Sequence, residues 1–261
     1  EVPLQFWFVL SAPRDDSIIE EADMFRDIMF CNIPEVDQPG VSTRPVKTFG
    51  FFQMAHKAVP RAEFYFKTDE HTFPDMFDIL SAIKEWEQSQ NQSVGKRHYG
   101  GLLHQKSSPI RDPTSPWFVP KEAYGEDLYP AYHSGAFFYL TNSLARCVAE
   151  SSTNPLLPYI PVEDAGVGIL LKQFCQPFDI QNMYQIFDWT LTLLPNPVKY
   201  NERLEVIIQN SRAAVVLEVK GEGNLLRLYE SRYGNDAQTI PRYTYHVLNQ
   251  KFLDFCKHQG T

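Results

Sequence analysis

The sequence contains no run of about 18 consecutive apolar residues, the length that crosses a bilayer as a helix. Its opening residues, Glu1 to Gln5, lack the basic and then apolar layout of a signal peptide. No membrane segment is therefore expected within these 261 residues, although a lumenal domain freed of an N-terminal anchor would read the same way. Basic clusters are absent too. The 24 Lys and Arg are scattered among 32 Asp and Glu, for a net charge of -8, so nothing tracks a phosphate backbone and nucleic acid is not an expected partner. Cysteine is scarce, and Cys31, Cys147, Cys175 and Cys256 are too far apart for a CxxC metal or redox pattern. That excludes a zinc ribbon and leaves open both two disulfides and four buried thiols. There is no internal repeat and no low-complexity tract.

What remains is a chain that is 43% hydrophobic and 14% aromatic, enough to bury one large core. Leu4 to Ser11 is an apolar, aromatic run that suits a buried strand. Helix spacing follows over Ser17 to Phe25, and Asp27 to Cys31 returns to a strand pattern. Lys47 to Ala58 has helical spacing and stops before Pro60. Ala62 to Lys67 reads as strand, and Phe77 to Gln88 as an amphipathic helix with Phe77, Leu80, Ile83 and Trp86 on one face. Ser89 to Pro130 is polar, proline-rich and loop-like, with a sequon at Asn91-Gln92-Ser93. Tyr132 to Leu140 and Ser143 to Ala149 resume strand and helix, and a helix opens near Val162. Beyond Gln176 short β-like runs are expected, including Leu204 to Ile208 and Ala213 to Val219, then a helix over Tyr245 to Cys256. The alternation predicts an α/β fold with a mixed, mostly parallel sheet flanked by helices, and a ligand crevice beyond the strand ends. The expected division is a core over 1–176 and a β-rich region over 177–261 packed on it.

Three constellations carry chemistry. Lys67-Thr68-Asp69-Glu70-His71 sits at the end of an expected strand, where two carboxylates and an imidazole can hold a divalent cation beside a diphosphate; a solvated polar loop is the plain alternative. Glu163 and Asp164 open a helix. Acids there complement the helix dipole, or one of them accepts the proton of an attacking hydroxyl. Finally, Trp117, Tyr132, Ser134 and Gly135 lie among prolines and polar residues, a mixture that suits sugar faces and equally suits aromatic side chains closing over a core.

Order and spacing across these segments resemble the Golgi β-1,3-galactosyltransferase and N-acetylglucosaminyltransferase family. Its K-T-D-D-D-x-F matches Lys67 to Phe73, its P-x-R matches Pro109 to Arg111, and its K-W is represented by Pro116-Trp117. Its P-x-Y-x-S-G matches Pro130 to Gly135, and E-D-V-x-x-G matches Glu163 to Gly168. Upstream, Glu21 to Ile28 and Thr43 to Thr48 match two further segments. The resemblance implies a GT-A fold, a UDP-sugar donor, Mn²⁺ or another divalent cation, and inverting transfer of galactose or N-acetylglucosamine to a glycan hydroxyl. It places Asp69 and His71 on the cation, with Glu70, Lys47 and Arg111 toward the nucleotide. Asp164 falls on the catalytic base with Glu163 beside it, and Trp117, Tyr132, Ser134 and Gly135 shape the sugar pockets. The implied setting is the secretory pathway, as the Golgi-lumenal part of a type II membrane protein.

Three departures are visible. His71 stands where the family has its third acid, the leading R-x-x-I-R-x-T-W segment is absent, and the last 80 or so residues carry no family pattern. A glycosyltransferase-like binding or scaffold protein without activity is the alternative they suggest.

Overall fold

A computed structural model describes residues 4–231, leaving out 12–15, 32–35, 39–40, 90–96 and short gaps at 189, 195–196, 211–212, 218, 221–223, 225–226 and 229–230. In chain order the elements begin with β1 (Phe8–Leu10), α1 (Asp16–Phe25) and β2 (Ile28–Phe30), then β3 (Asp37–Gln38), β4 (Val41–Ser42) and α2 (Arg44–Ala58). They continue with β5 (Phe64–Thr68), β6 (Phe73–Pro74), α3 (Met76–Ser89), β7 (His98–His104), β8 (Tyr132–Thr141), α4 (Asn142–Ser151) and α5 (Glu163–Phe174). β9 (Asp179–Asn182), β10 (Phe187–Asp188), α6 (Pro197–Asn210) and β11 (Val215–Val216) complete the set.

The central sheet has the order β5-β8-β7-β9. β8 runs antiparallel to both β5 and β7, and β9 pairs parallel with β7. The mixed α/β character matches the expectation and is consistent with a GT-A arrangement. Parallel pairing occurs in β1–β2, β7–β9 and β10–β11, whereas the longest ladders are antiparallel. The cause is β8, whose ten residues lie between two earlier strands and return against both.

β8 is buried on both faces, and successive side chains go to opposite sides, as a strand requires. Phe138 and Leu140 join Phe52, Leu144, Val148, Val167 and Leu170 in a core against α2, α4 and α5. Phe137 and Tyr139 point the other way, to Ile79, Ile83, Met183, Phe187 and Val215. Each such side chain is worth roughly 1.5–3 kcal/mol of apolar burial, so β8 is the stem of the fold.

Local chemistry sets the helix ends. Pro45 lies in the first turn of α2, and the helix stops at Val59, ahead of Pro60. Asp75 Oδ1 accepts the amides of Phe77 and Asp78 at 3.2 and 3.3 Å and starts α3. Cys147 of α4 is joined to Cys175, just past α5, by a disulfide, which resolves one of the pairings the spacing left open.

Several expectations are corrected. β7 lies inside the stretch read as loop. Its Gly100 concealed it: a Cβ there would come within 2.1 Å of the Tyr139 ring, so the strand needs a residue of low strand propensity. α3 buries Ile79 and Ile83, while Phe77 is exposed. Phe8 of β1 is half exposed rather than buried. Leu204 to Ile208 is helical, within α6, because Leu204 and Ile207 fall one turn apart and pack on Phe73, Leu191 and Val216. The segment after Gln176 supplies β9 to the central sheet, and β11 pairs with β6 in the order β10-β11-β6. The sequon at Asn91, the expected helix at 245–256, Cys256 and His246 lie outside the described residues.

Candidate active site

The site is built where β5 and β8 end and α5 begins. Thr68 pairs with Phe137 in the β5–β8 ladder. One step further, the amide of Asp69 donates to the carbonyl of Ala136 at 3.1 Å. Register therefore puts Asp69 beside Ala136 and Gly135, at the mouth of the sheet. The first turn of α5 meets the same point, because the Gly135 amide donates to Asp164 Oδ2 at 3.0 Å. Asp164 Oδ1 accepts the amide of Ala165 at 2.8 Å.

Glu163 is held by two other elements. Its Oε1 pairs with Lys67 Nζ of β5 at 2.5 Å, and its Oε2 accepts from Thr48 Oγ1 of α2 at 2.9 Å. Lys67 Nζ also donates to the Gly135 carbonyl. Gly135 lets these groups approach closely. A Cβ there would lie 3.1 Å from Glu163 Oε1, tighter than ordinary contact, and 3.4 Å from Lys67 Nζ. Four elements converge on one polar knot, and the acid-acid-imidazole segment begins two residues beyond its lysine.

Asp164 keeps some surface open to solvent, yet protein atoms crowd its carboxylate. That enclosure pushes its carboxyl above the ordinary carboxylate value and outweighs the opposing amides of Gly135 and Ala165; the nearby Glu163 charge adds to the rise, and Lys67 opposes it. A carboxylate so placed is a stronger base than a solvated one, the property a proton acceptor needs.

The 69–71 segment is a tight turn. Asp69 Oδ1 accepts from the His71 amide at 3.1 Å and from Thr72 Oγ1 at 2.6 Å. Glu70 is exposed, with Oε1 3.6 Å from His71 Nε2. The turn is backed from the far end of the chain, since the amide of Val219 donates to the His71 carbonyl at 2.7 Å. Among the described residues no three His, Cys, Asp or Glu side chains converge as a closed metal cage.

The remaining expected residues are distributed around this knot. Lys47 lies in the first turn of α2, next to Thr48. Arg111 spends its guanidinium on its own loop, donating to the carbonyls of Val119, Tyr124 and Glu126 at 2.7–2.9 Å. That clamp presents Trp117, exposed and with the Arg44 guanidinium 5.2 Å from its ring centroid. Tyr132 is buried, its ring stacked on His104 and edge-on to Tyr129, so it shapes the wall rather than offering an open face. Ser134 Oγ accepts the Ala136 amide at 3.3 Å and stiffens the strand end. Neighbouring His133 is buried and neutral. Desolvation lowers it to about 4, and its Nε2 donates to the Tyr99 carbonyl at 2.9 Å. Lys67 opens the first constellation read from the sequence but has no role of its own there, and Thr48 has none beyond ending the matched Thr43 to Thr48 segment.

Comparison with known proteins is decisive for kinship. Residues 4–178 match the galactosyltransferase family. The chain belongs to that family. The β-1,3-galactosyltransferase 5 of Pan troglodytes is 34% identical to this galactosyltransferase-family chain over 128 residues, 49% of the chain and 40% of that protein. A human acetylgalactosaminyl-O-glycosyl-glycoprotein β-1,3-N-acetylglucosaminyltransferase is 30% identical over 114 residues, 44% of the chain and 28% of that protein. Hydroxyproline O-galactosyltransferase GALT2 of Arabidopsis thaliana is 25% identical over 193 residues, 72% of the chain and 26% of that protein. The chain thus spans at most 40% of the length of these relatives. Both the family match and the polar knot fall within the first 178 residues.

Proposed function

We propose that this galactosyltransferase-family chain is the catalytic part of an inverting transferase moving galactose or N-acetylglucosamine from a UDP-sugar to a glycan hydroxyl, in β-1,3 linkage. The observation that carries this reading is Asp164, enclosed and aimed at Gly135 beside the strand end that bears Asp69. Asp164 accepts the proton of the acceptor hydroxyl as its oxygen attacks the anomeric carbon. The bond from that carbon to the UDP oxygen breaks, and UDP leaves with the electron pair on the opposite face. A divalent cation such as Mn²⁺, held by Asp69 and His71, would neutralise charge on the diphosphate. Lys47, next to Thr48, and the exposed Glu70 face the nucleotide side in this reading, and Trp117 offers the acceptor a ring face.

The secretory pathway, with the Golgi lumen as the site of action, fits the Cys147–Cys175 disulfide and the kinship. Among the described residues no helix is long and apolar enough to cross a membrane. A binding or scaffold role without chemistry is not favoured, because the matched relatives bear transferase names.

Isothermal titration of the chain with UDP and Mn²⁺ tests the donor half of the reading. Heat that depends on the cation and disappears in Asp69→Asn is expected. No binding of UDP under any divalent ion would sink the proposal.

A further inference from the structure

Glu163 does not behave as a helix cap. An acid in the first turn of a helix gains about 0.3–1 kcal/mol from the dipole while remaining solvated. Here both carboxylate oxygens are committed to side chains of other elements, Thr48 on α2 and Lys67 on β5. The pair is largely withdrawn from water, with the Lys67 and Glu163 side chains 18% and 15% exposed, and Thr48 is buried. Burying an ion pair is an inefficient way to gain stability, because desolvation offsets most of the attraction. Its strength is in fixing geometry, and what it fixes is a closed circuit. Glu163 holds Lys67, Lys67 holds the Gly135 carbonyl, the Gly135 amide holds Asp164, and Asp164 is the next residue after Glu163.

We propose that Thr48 and Lys67 are positioning residues for the transfer reaction: acting through Glu163, they fix the first turn of α5 so that Asp164 meets Gly135 at the strand ends. The inference rests on the transferase reading above. Glu163, with both oxygens engaged, then serves orientation and not proton transfer. Thr48 sets the distance between α2 and α5, and Lys67 sets the rotation of α5 about its axis relative to β8.

The decisive variants are Thr48→Val, which removes the hydroxyl at nearly constant volume, and Thr48→Ser, which restores it. Steady-state kinetics with UDP-galactose and UDP-N-acetylglucosamine, and amide hydrogen exchange at Gly135, are measured on the whole chain. The expected result for Thr48→Val is a kcat lower by roughly 10- to 100-fold, the range for loss of a hydrogen bond to a charged group and for small misplacement of a reacting group. The KM for the donor stays close to that of the unaltered chain, Gly135 exchanges faster, and Thr48→Ser recovers most of the kcat. A merely structural threonine would change unfolding temperature without splitting kcat from KM. Wild-type kcat and unchanged Gly135 exchange in Thr48→Val, or a Thr48→Ser variant as slow as Thr48→Val, would overturn the inference while leaving the transferase reading intact. An unaltered chain that turns over neither donor and binds no UDP would overturn both, and that is established before any variant is made.

Discussion

Gly135 and Asp164 meet through a single 3.0 Å hydrogen bond from backbone amide to carboxylate, and that contact joins the end of the central sheet to the start of α5. Replacing the acid by its amide keeps the shape and removes the base. Asp164→Asn should lower kcat by about 10²- to 10⁴-fold, the range for a positioned acid–base group, with the circular dichroism of the unaltered chain. A loss of less than about tenfold would make Asp164 a helix-start residue only.

The same enclosure makes stability depend on pH. Crowding raises the Asp164 carboxyl above 3.8, so the folded chain holds that proton more firmly than the unfolded one. Its contribution is present in full below 3.8 and is lost as pH rises through the raised native value. Above that window the charged carboxylate costs stability. Thermal unfolding should therefore show Asp164→Asn gaining on the unaltered chain between pH 3 and pH 7, and the acidic limb of kcat/KM should lie above 3.8. Parallel melting curves for the two proteins would contradict this.

Gly168 lies in α5 where β8 passes close. A Cβ there would come within 2.6 Å of the Tyr132 Cβ and 3.1 Å of the Ala131 carbonyl. Gly168→Ala should destabilise by about 1–3 kcal/mol through overpacking, despite the higher helix propensity of alanine. Chemical denaturation measures it, and a stabilised variant would show that α5 can move away from β8.

Cys147 and Cys175 close a loop with a sequence separation of 28. Replacing both by serine should cost about 3.5 kcal/mol, as chain entropy predicts for a loop of that size. Melting with and without reductant checks it, since reductant should lower the unfolding temperature of the parent and leave the serine variant unchanged.

Much of the architecture was legible because long periodic segments state their own geometry. α2, α3, α5 and β8 fall close to where spacing puts them, although α3 turns Ile79 and Ile83 inward and leaves Phe77 exposed. β7 was hidden by Gly100, whose purpose is visible only when the Tyr139 ring lies across the strand, and by Gly101, which lies against the Phe137 carbonyl and His133. Leu204 to Ile208 misled because a short apolar run has no period of its own, and its partner Phe73 is far away in sequence. At the site, the acids could be found from order and spacing. Thr48 could not, because a threonine inside a helix acquires meaning only from the carboxylate that a distant element brings to it.

The Val219 amide on the His71 carbonyl connects the family-matched part of the chain to a segment beyond it. The galactosyltransferase-family match ends at 178, yet the turn carrying Asp69 and His71 leans on backbone some forty residues later. If that turn borders the donor as proposed, drift in the backbone behind it is not silent for donor binding. A lineage could retune its grip on a nucleotide sugar without altering any residue of the inherited motifs, simply by shifting the backbone they rest against.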